Sequence, residues 1–179
     1  MEQEQPRMSA SNTSQGRSIA YSRSMTTRMM QAMDANVLGN VHGGVIMRMV
    51  DEAAAIVAVK HARLHVVTGR VERFDFLAPA YIGNVVSVHC EMNYVGRTSM
   101  EVGVEVMAED LMTGETRLIA HSHVIYVALG KDGRPAAVPP LVPADAGEQE
   151  KIGRARLRRM RIKAIEEELA KIQADHGEV

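Results

Sequence analysis

Residues 45–59 read VIMRMVDEAAAIVAV; twelve of these fifteen are apolar, and none is glycine or proline. The run is too long for an ordinary buried strand, so it predicts a helix. A helix that is apolar nearly all round has to be covered on every side. Only Arg48, Asp51 and Glu52 interrupt it. Arg48 and Asp51 stand three residues apart and share a face, so an ion pair between them is one way to satisfy Asp51.

What can cover such a helix follows from its flanks. Residues 21–33 are rich in Met, Thr and Arg and read as a strand, and residues 34–44 (DANVLGNVHGG) carry turn chemistry. Four strand-like runs come after the helix, at 66–77, 85–95, 99–108 and 116–129. Val86, Val88, Cys90 and Met92 alternate on one parity, as do Met100, Val102, Val104 and Val106. Short turns at Gly96-Arg97-Thr98 and Thr113-Gly114 join the last three runs into an antiparallel meander. The expected fold is α+β, one antiparallel sheet wrapped around a long central helix, with a further helix at the C-terminus. The domain plan is a flexible tail at 1–20, the sheet-and-helix domain at 21–130, a Pro-rich linker at 131–146 and a basic helix at 147–175. Seven Lys or Arg fall within 151–163, which suits a solvated face, a rim near phosphates or a helical neighbour.

Composition narrows the function. The 179 residues carry a net charge of −1, so no basic field points to nucleic acid. A single cysteine, Cys90, excludes an intramolecular disulfide framework and reads as a buried structural thiol. No apolar run is long enough to span a membrane, and the N-terminus lacks the apolar stretch of a secretory signal, so the expected location is cytoplasmic. Thirteen Met against two Phe and no Trp make a pliant core, or the lining of a tunnel for a flexible chain. There is no GxSxG, P-loop, GxGxxG, HExxH or CxxC, which disfavours serine hydrolases, P-loop NTPases and Rossmann oxidoreductases. His121 and His123 on one strand face are expected to be structural or exposed, and no metal site is expected.

The informative stretch is 36–58. Gly43-Gly44 opens directly into the helix, where free N–H groups and absent side chains suit an anion or oxyanion. Asp51 follows two turns on, a carboxylate on an apolar helix that needs a partner or a function.

The stretch DANVLGNVHGG at 34–44, followed by Met47 and Asp51-Glu52, resembles the signature of hotdog-fold acyl-CoA thioesterases of the brain-type cytosolic group and its single-domain bacterial relatives. The resemblance continues through Val66-Val67-Thr68, Arg70 to Arg73, Ile82-Gly83, YVGRTSMEV at 94–102 and PPLVP at 139–143, covering about 25–165. It implies hydrolysis of a fatty acyl-CoA to a free acid and CoA, with no cofactor beyond the CoA of the substrate itself. It implies Asp51 as general base or nucleophile, Asn40 supplied by a partner subunit, and an oxyanion hole at Gly43 and Gly44. It implies a homodimer with two composite sites, assembled further as a trimer of dimers. Arg97, Thr98, Ser99, Val67, Thr68 and Arg70 are the candidate CoA-binding residues. Two other functions use the same fold. A non-catalytic acyl-CoA sensor would lack the acid at position 51. A dehydratase or hydratase would be expected to pair a His with the acid, and the position five residues after Asp51 is Ile56.

Overall fold

The computed structural model describes residues 15–176. The chain divides into two units, Met1–Val142 and Pro143–Val179. In the first, a short helix α1 (Ile19–Ser22) leads into strand β1 (Ser24–Met29) and a 3-10 turn at Ala32–Asp34. The long helix α2 (Gly43–Ala62) follows, then β2 (His65–Phe76), β3 (Val85–Val95), β4 (Ser99–Glu109) and β5 (Thr116–Leu129). The strands form one sheet in the order β1-β3-β4-β5-β2, with every pairing antiparallel.

The alternation expected for β3 and β4 is the alternation observed. Val86, Val88, Cys90 and Met92 are buried, as are Met100, Val102, Val104 and Val106, and both sets belong to the core cluster that contains α2. Small residues on α2, Ala53, Ala54 and Ala58, are buried in the same cluster and allow the backbone to approach the sheet closely. Burial holds the Cys90 thiol up at about 12, so it stays protonated as a packed apolar group.

Three expectations need correction. First, α2 is not covered all round: Met47, Ile56 and Val59 are each between 44% and 45% exposed. A single five-stranded sheet touches one side of a cylinder, and the apolar residues on the other side stay open. Second, the strand expected over 21–33 is broken. Ser18 caps α1 by accepting from the Tyr21 N–H at 3.3 Å. Further on, the Asp34 carboxylate accepts from the Gln31 N–H at 2.8 Å and from Arg28 at 2.6 and 2.8 Å, which closes the 3-10 turn. Third, the tail expected over 1–20 lies outside the described residues through 14, but Arg17–Ile19 belong to the fold. Arg17 exchanges backbone hydrogen bonds with Pro140 and Val142, and Ile19 is fully buried.

His61, near the end of α2, ties the helix to the segment after β5. Its Nε2–H donates to the Pro139 carbonyl at 2.9 Å, and its buried Nδ1 has no partner among the described residues. Burial pushes its ionisation below the ordinary value of 6.5; the Pro139 hydrogen bond opposes this and Arg17 adds to it. The folded protein therefore favours neutral His61. The stability this contributes is complete above about pH 6.5 and is lost as pH falls through the lowered folded value. Urea unfolding of wild type and His61→Gln at about pH 7.5 and pH 5 should show a smaller acid loss in the variant.

In the second unit, α3 (Ala146–His176) opens with a reciprocal cap. The Glu148 N–H donates to Asp145 Oδ1 at 2.8 Å, and the Ala144 N–H donates to Glu148 Oε2 at 2.9 Å. Ion pairs at Glu150–Arg154 and Lys163–Glu167 lie along the helix, while Ile165, Leu169 and Ile172 stay exposed. No helix among the described residues is long and apolar enough to cross a membrane.

Candidate active site

The entry to α2 is built by the loop before it. The Asn36 side-chain oxygen accepts from the N–H groups of Leu38 at 2.8 Å and Asn40 at 3.2 Å, while the Asn36 N–H donates to the Asn40 carbonyl at 2.7 Å. Gly39 sits at φ +81°, a conformation that side chains resist, and lets the loop close. The Val41 N–H then bonds the Ala80 carbonyl at 2.9 Å, fixing the loop to the sheet domain.

At the helix start His42 is the cap, and its Nδ1 accepts from the Gly44 N–H at 3.0 Å. Of the two expected oxyanion donors, Gly44 is therefore already engaged, and only an Nδ1 without a proton can hold it. A Cβ added at Gly43 would stand 3.2 Å from the Phe76 ring, a tight contact that the half-exposed ring would have to yield to. Gly43, Asn36 and Asn40 line a cleft of about 370 Å³ whose apolar wall includes Ile46, Phe76, Leu77 and Ile119.

Asp51 lies elsewhere. It is eight residues beyond Gly43, roughly 12 Å along the helix at 1.5 Å per residue. Its expected partner is not Arg48, which pairs with Glu52 at 2.8 Å. Instead Asp51 Oδ1 accepts from the Thr68 hydroxyl at 2.8 Å and the Tyr126 hydroxyl at 3.0 Å. The sheet register explains the meeting: Thr68, Tyr126 and Met100 stand in one row across β2, β5 and β4. A register shift between Thr68 and Arg70 marks a bulge at this point of β2.

The neighbouring row holds Val67, Val127 and Ser99, which brings the turn at Arg97-Thr98 to the same end of the sheet as Asp51. That turn is held closed by the Gly96 N–H on the Ser99 carbonyl at 2.8 Å. Arg70 is two residues further along β2, with Glu72 at 3.7 Å. One chain thus assembles two separate groups. Asn40, Gly43 and Gly44 stand at the helix start; Asp51, Val67, Thr68 and the turn at 97–99 stand together further along. Tyr126 was not foreseen, because nothing local marks a residue 75 positions from Asp51. Asn36 was not foreseen either, although it lies in the same turn as Asn40.

A long helix laid across one antiparallel sheet, with a glycine-lined N-terminus and a carboxylate two turns on, is the arrangement of a hotdog domain. The Thioesterase superfamily model matches residues 38–115. The chain is 39% identical over 150 residues to the human cytosolic acyl coenzyme A thioester hydrolase, a match covering 79% of this chain and 39% of that protein. It is 37% identical to an uncharacterised acyl-CoA thioester hydrolase of Bacillus subtilis, covering 73% of this chain and 76% of that one. Among solved structures, an apo-hexameric acyl-CoA thioesterase superposes with a TM-score of 0.80 at 35% identity, covering 84% of this chain and 96% of that one. The Staphylococcus aureus acyl-CoA hydrolase, solved with butyryl coenzyme A and coenzyme A, superposes with a TM-score of 0.79 at 32% identity, covering 90% and 99%. This chain belongs to the hotdog-fold acyl-CoA thioesterase family. It spans about two fifths of the length of the human relative.

Solved variants of the Staphylococcus aureus hydrolase replace with alanine an aspartate, an asparagine 15 residues before it and a threonine 17 residues after it. In this chain Asn36 stands 15 residues before Asp51, and Thr68 stands 17 after it.

Proposed function

We propose that this protein hydrolyses acyl-CoA thioesters to a carboxylic acid and CoA, at sites shared between two copies of the chain. The observation that carries this reading is Asp51: an exposed carboxylate on an apolar helix, held by two hydroxyl donors on one oxygen. In this reading Asp51 is a general base. It takes a proton from water as the water oxygen adds to the thioester carbon. The negative charge that develops on the carbonyl oxygen is received by the Gly43 N–H at the start of α2, a contribution of about 3–4 kcal/mol per donor in well-studied sites. The C–S bond then breaks, the proton held by Asp51 passes to the departing sulfur, and CoA leaves as its thiol.

Because Gly43 and Asp51 stand roughly 12 Å apart along one helix, a single thioester group does not reach both in one chain. A second copy, turned about a two-fold axis, supplies the missing half. Two features support that pairing. The strand β2 is at the edge of the sheet, with Val67 and Val71 exposed, and α2 leaves Met47, Ile56 and Val59 uncovered. Relatives solved as hexamers support a trimer of such dimers.

The asparagine of the site is assigned to the loop at 36–40. The spacing seen in the Staphylococcus aureus variants favours Asn36, with Asn40 holding the Asn36 oxygen through its N–H. The apolar cleft at Ile46, Phe76 and Ile119 is assigned to the acyl chain. The Arg97 guanidinium is assigned to the CoA phosphates, with Thr98 and Ser99 beside it. The backbone of Val67, Thr68 and Arg70 is assigned to the pantetheine arm. No cofactor enters, since CoA arrives in the substrate and leaves in the product. The cytosolic name of the human relative supports a cytoplasmic setting.

The test is thiol release from a panel of acyl-CoAs, from acetyl to palmitoyl. The reading expects turnover, with a length profile set by the cleft. Binding without release from any of them would make the protein a sensor.

A further inference from the structure

The last strand carries no motif, yet it delivers the most constrained contact to Asp51. The Tyr126 hydroxyl shares its one proton between the backbone carbonyl of Asp51 at 2.8 Å and Asp51 Oδ1 at 3.0 Å. We propose that Tyr126 is a positioning residue that locks the Asp51 carboxylate in its working rotamer; this rests on the thioesterase reading above.

An exposed carboxylate on a helix ordinarily samples several rotamers. One hydroxyl shared between the side chain and the main chain of the same residue restricts it to the conformer that brings Oδ1 beside its own carbonyl. The anchor for that hydroxyl is rigid. Tyr126 is 1% exposed, and its strand is paired on both sides, with Thr68 and Met100 as its neighbours in register. Thr68 adds a second donor to the same oxygen from β2. Oδ2 has no partner among the described residues, which suits the atom that receives a proton. Burial, followed by the Asp51 charge, raises the phenol far above its ordinary range, so it remains a donor wherever the carboxylate is ionised. Both hydrogen bonds end on Asp51, so Tyr126 acts through that residue.

Tyr126→Phe keeps the ring and removes the oxygen. The expected result is a fall in kcat of about ten- to a hundredfold with KM changed less than about twofold, because binding is untouched while the base is misplaced. In an Asp51→Asn background the same change should do nothing further to residual turnover. A Tyr126→Phe enzyme with wild-type kcat overturns the proposal, as does a variant whose loss is entirely in KM. If Tyr126→Phe does not fold, 3-fluorotyrosine placed at position 126 keeps ring and hydroxyl but acidifies the phenol. It should shift kcat at constant KM, and no shift would overturn the proposal. A wild type that releases no CoA at all would instead remove the thioesterase reading on which this rests.

Discussion

Replacing Asp51 by Asn is expected to lower kcat for CoA release by about 10²–10⁴-fold, the range over which a positioned general base contributes. The substitution is chosen because it separates chemistry from architecture. An amide oxygen still accepts from Thr68 and Tyr126, so both hydrogen bonds persist. Asp51 is exposed, and the change buries no new polar group. Melting temperature and acyl-CoA binding should therefore stay close to wild type while turnover collapses. Steady-state kinetics with thermal unfolding on the same preparations checks this. Loss of binding in step with turnover would show that Asp51 holds substrate rather than activating water.

The largest expected effect on stability comes from the centre of the sheet. Met100 is fully buried on β4, in the core cluster that contains α2. It stands beside Tyr126 in register, and its neighbours on both strands are fixed by pairing. Met100→Ala should cost about 2–5 kcal/mol, since the lost contacts are compounded by a cavity that paired strands cannot close. Against a typical total of roughly 5–15 kcal/mol, that is enough to unfold a large fraction of the molecules on mild heating. Urea unfolding of the variant gives the number. Because Met100 and Tyr126 are adjacent, some turnover should be lost in the folded fraction too.

Which parts of this were legible in the sequence depends on how local each interaction is. Strands β3 and β4 follow from period-two alternation between glycine-containing turns, since each side chain reports its own face. The helix α2 follows from an apolar run of a length that few other elements allow. The limits of β1 were hidden, because Ser18 caps the helix before it and Asp34 closes the 3-10 turn after it through single backbone hydrogen bonds that composition does not reveal. The open face of α2 was hidden for a different reason. Apolarity says that a surface needs cover, not whether the cover comes from the same chain. At the site, Gly43 and Asp51 could be read from their neighbours. The partners Thr68 and Tyr126 could not, since they meet Asp51 only through strand register.

In the proposed dimer each site takes its asparagine loop from one chain and Asp51 from another. Co-expression of Asp51→Asn chains with Asn36→Asp chains tests it most directly, and Asn36→Asp keeps the side-chain oxygen that orders the loop. A mixed dimer would carry one site with both changes and one fully native site. With random pairing, activity should recover to about a quarter of wild type, although each variant alone is nearly inactive. Recovery to that level, tracking the fraction of mixed dimers, is the predicted result. Mixed dimers that form and remain as inactive as either parent would show that each chain works alone, and would contradict the shared site.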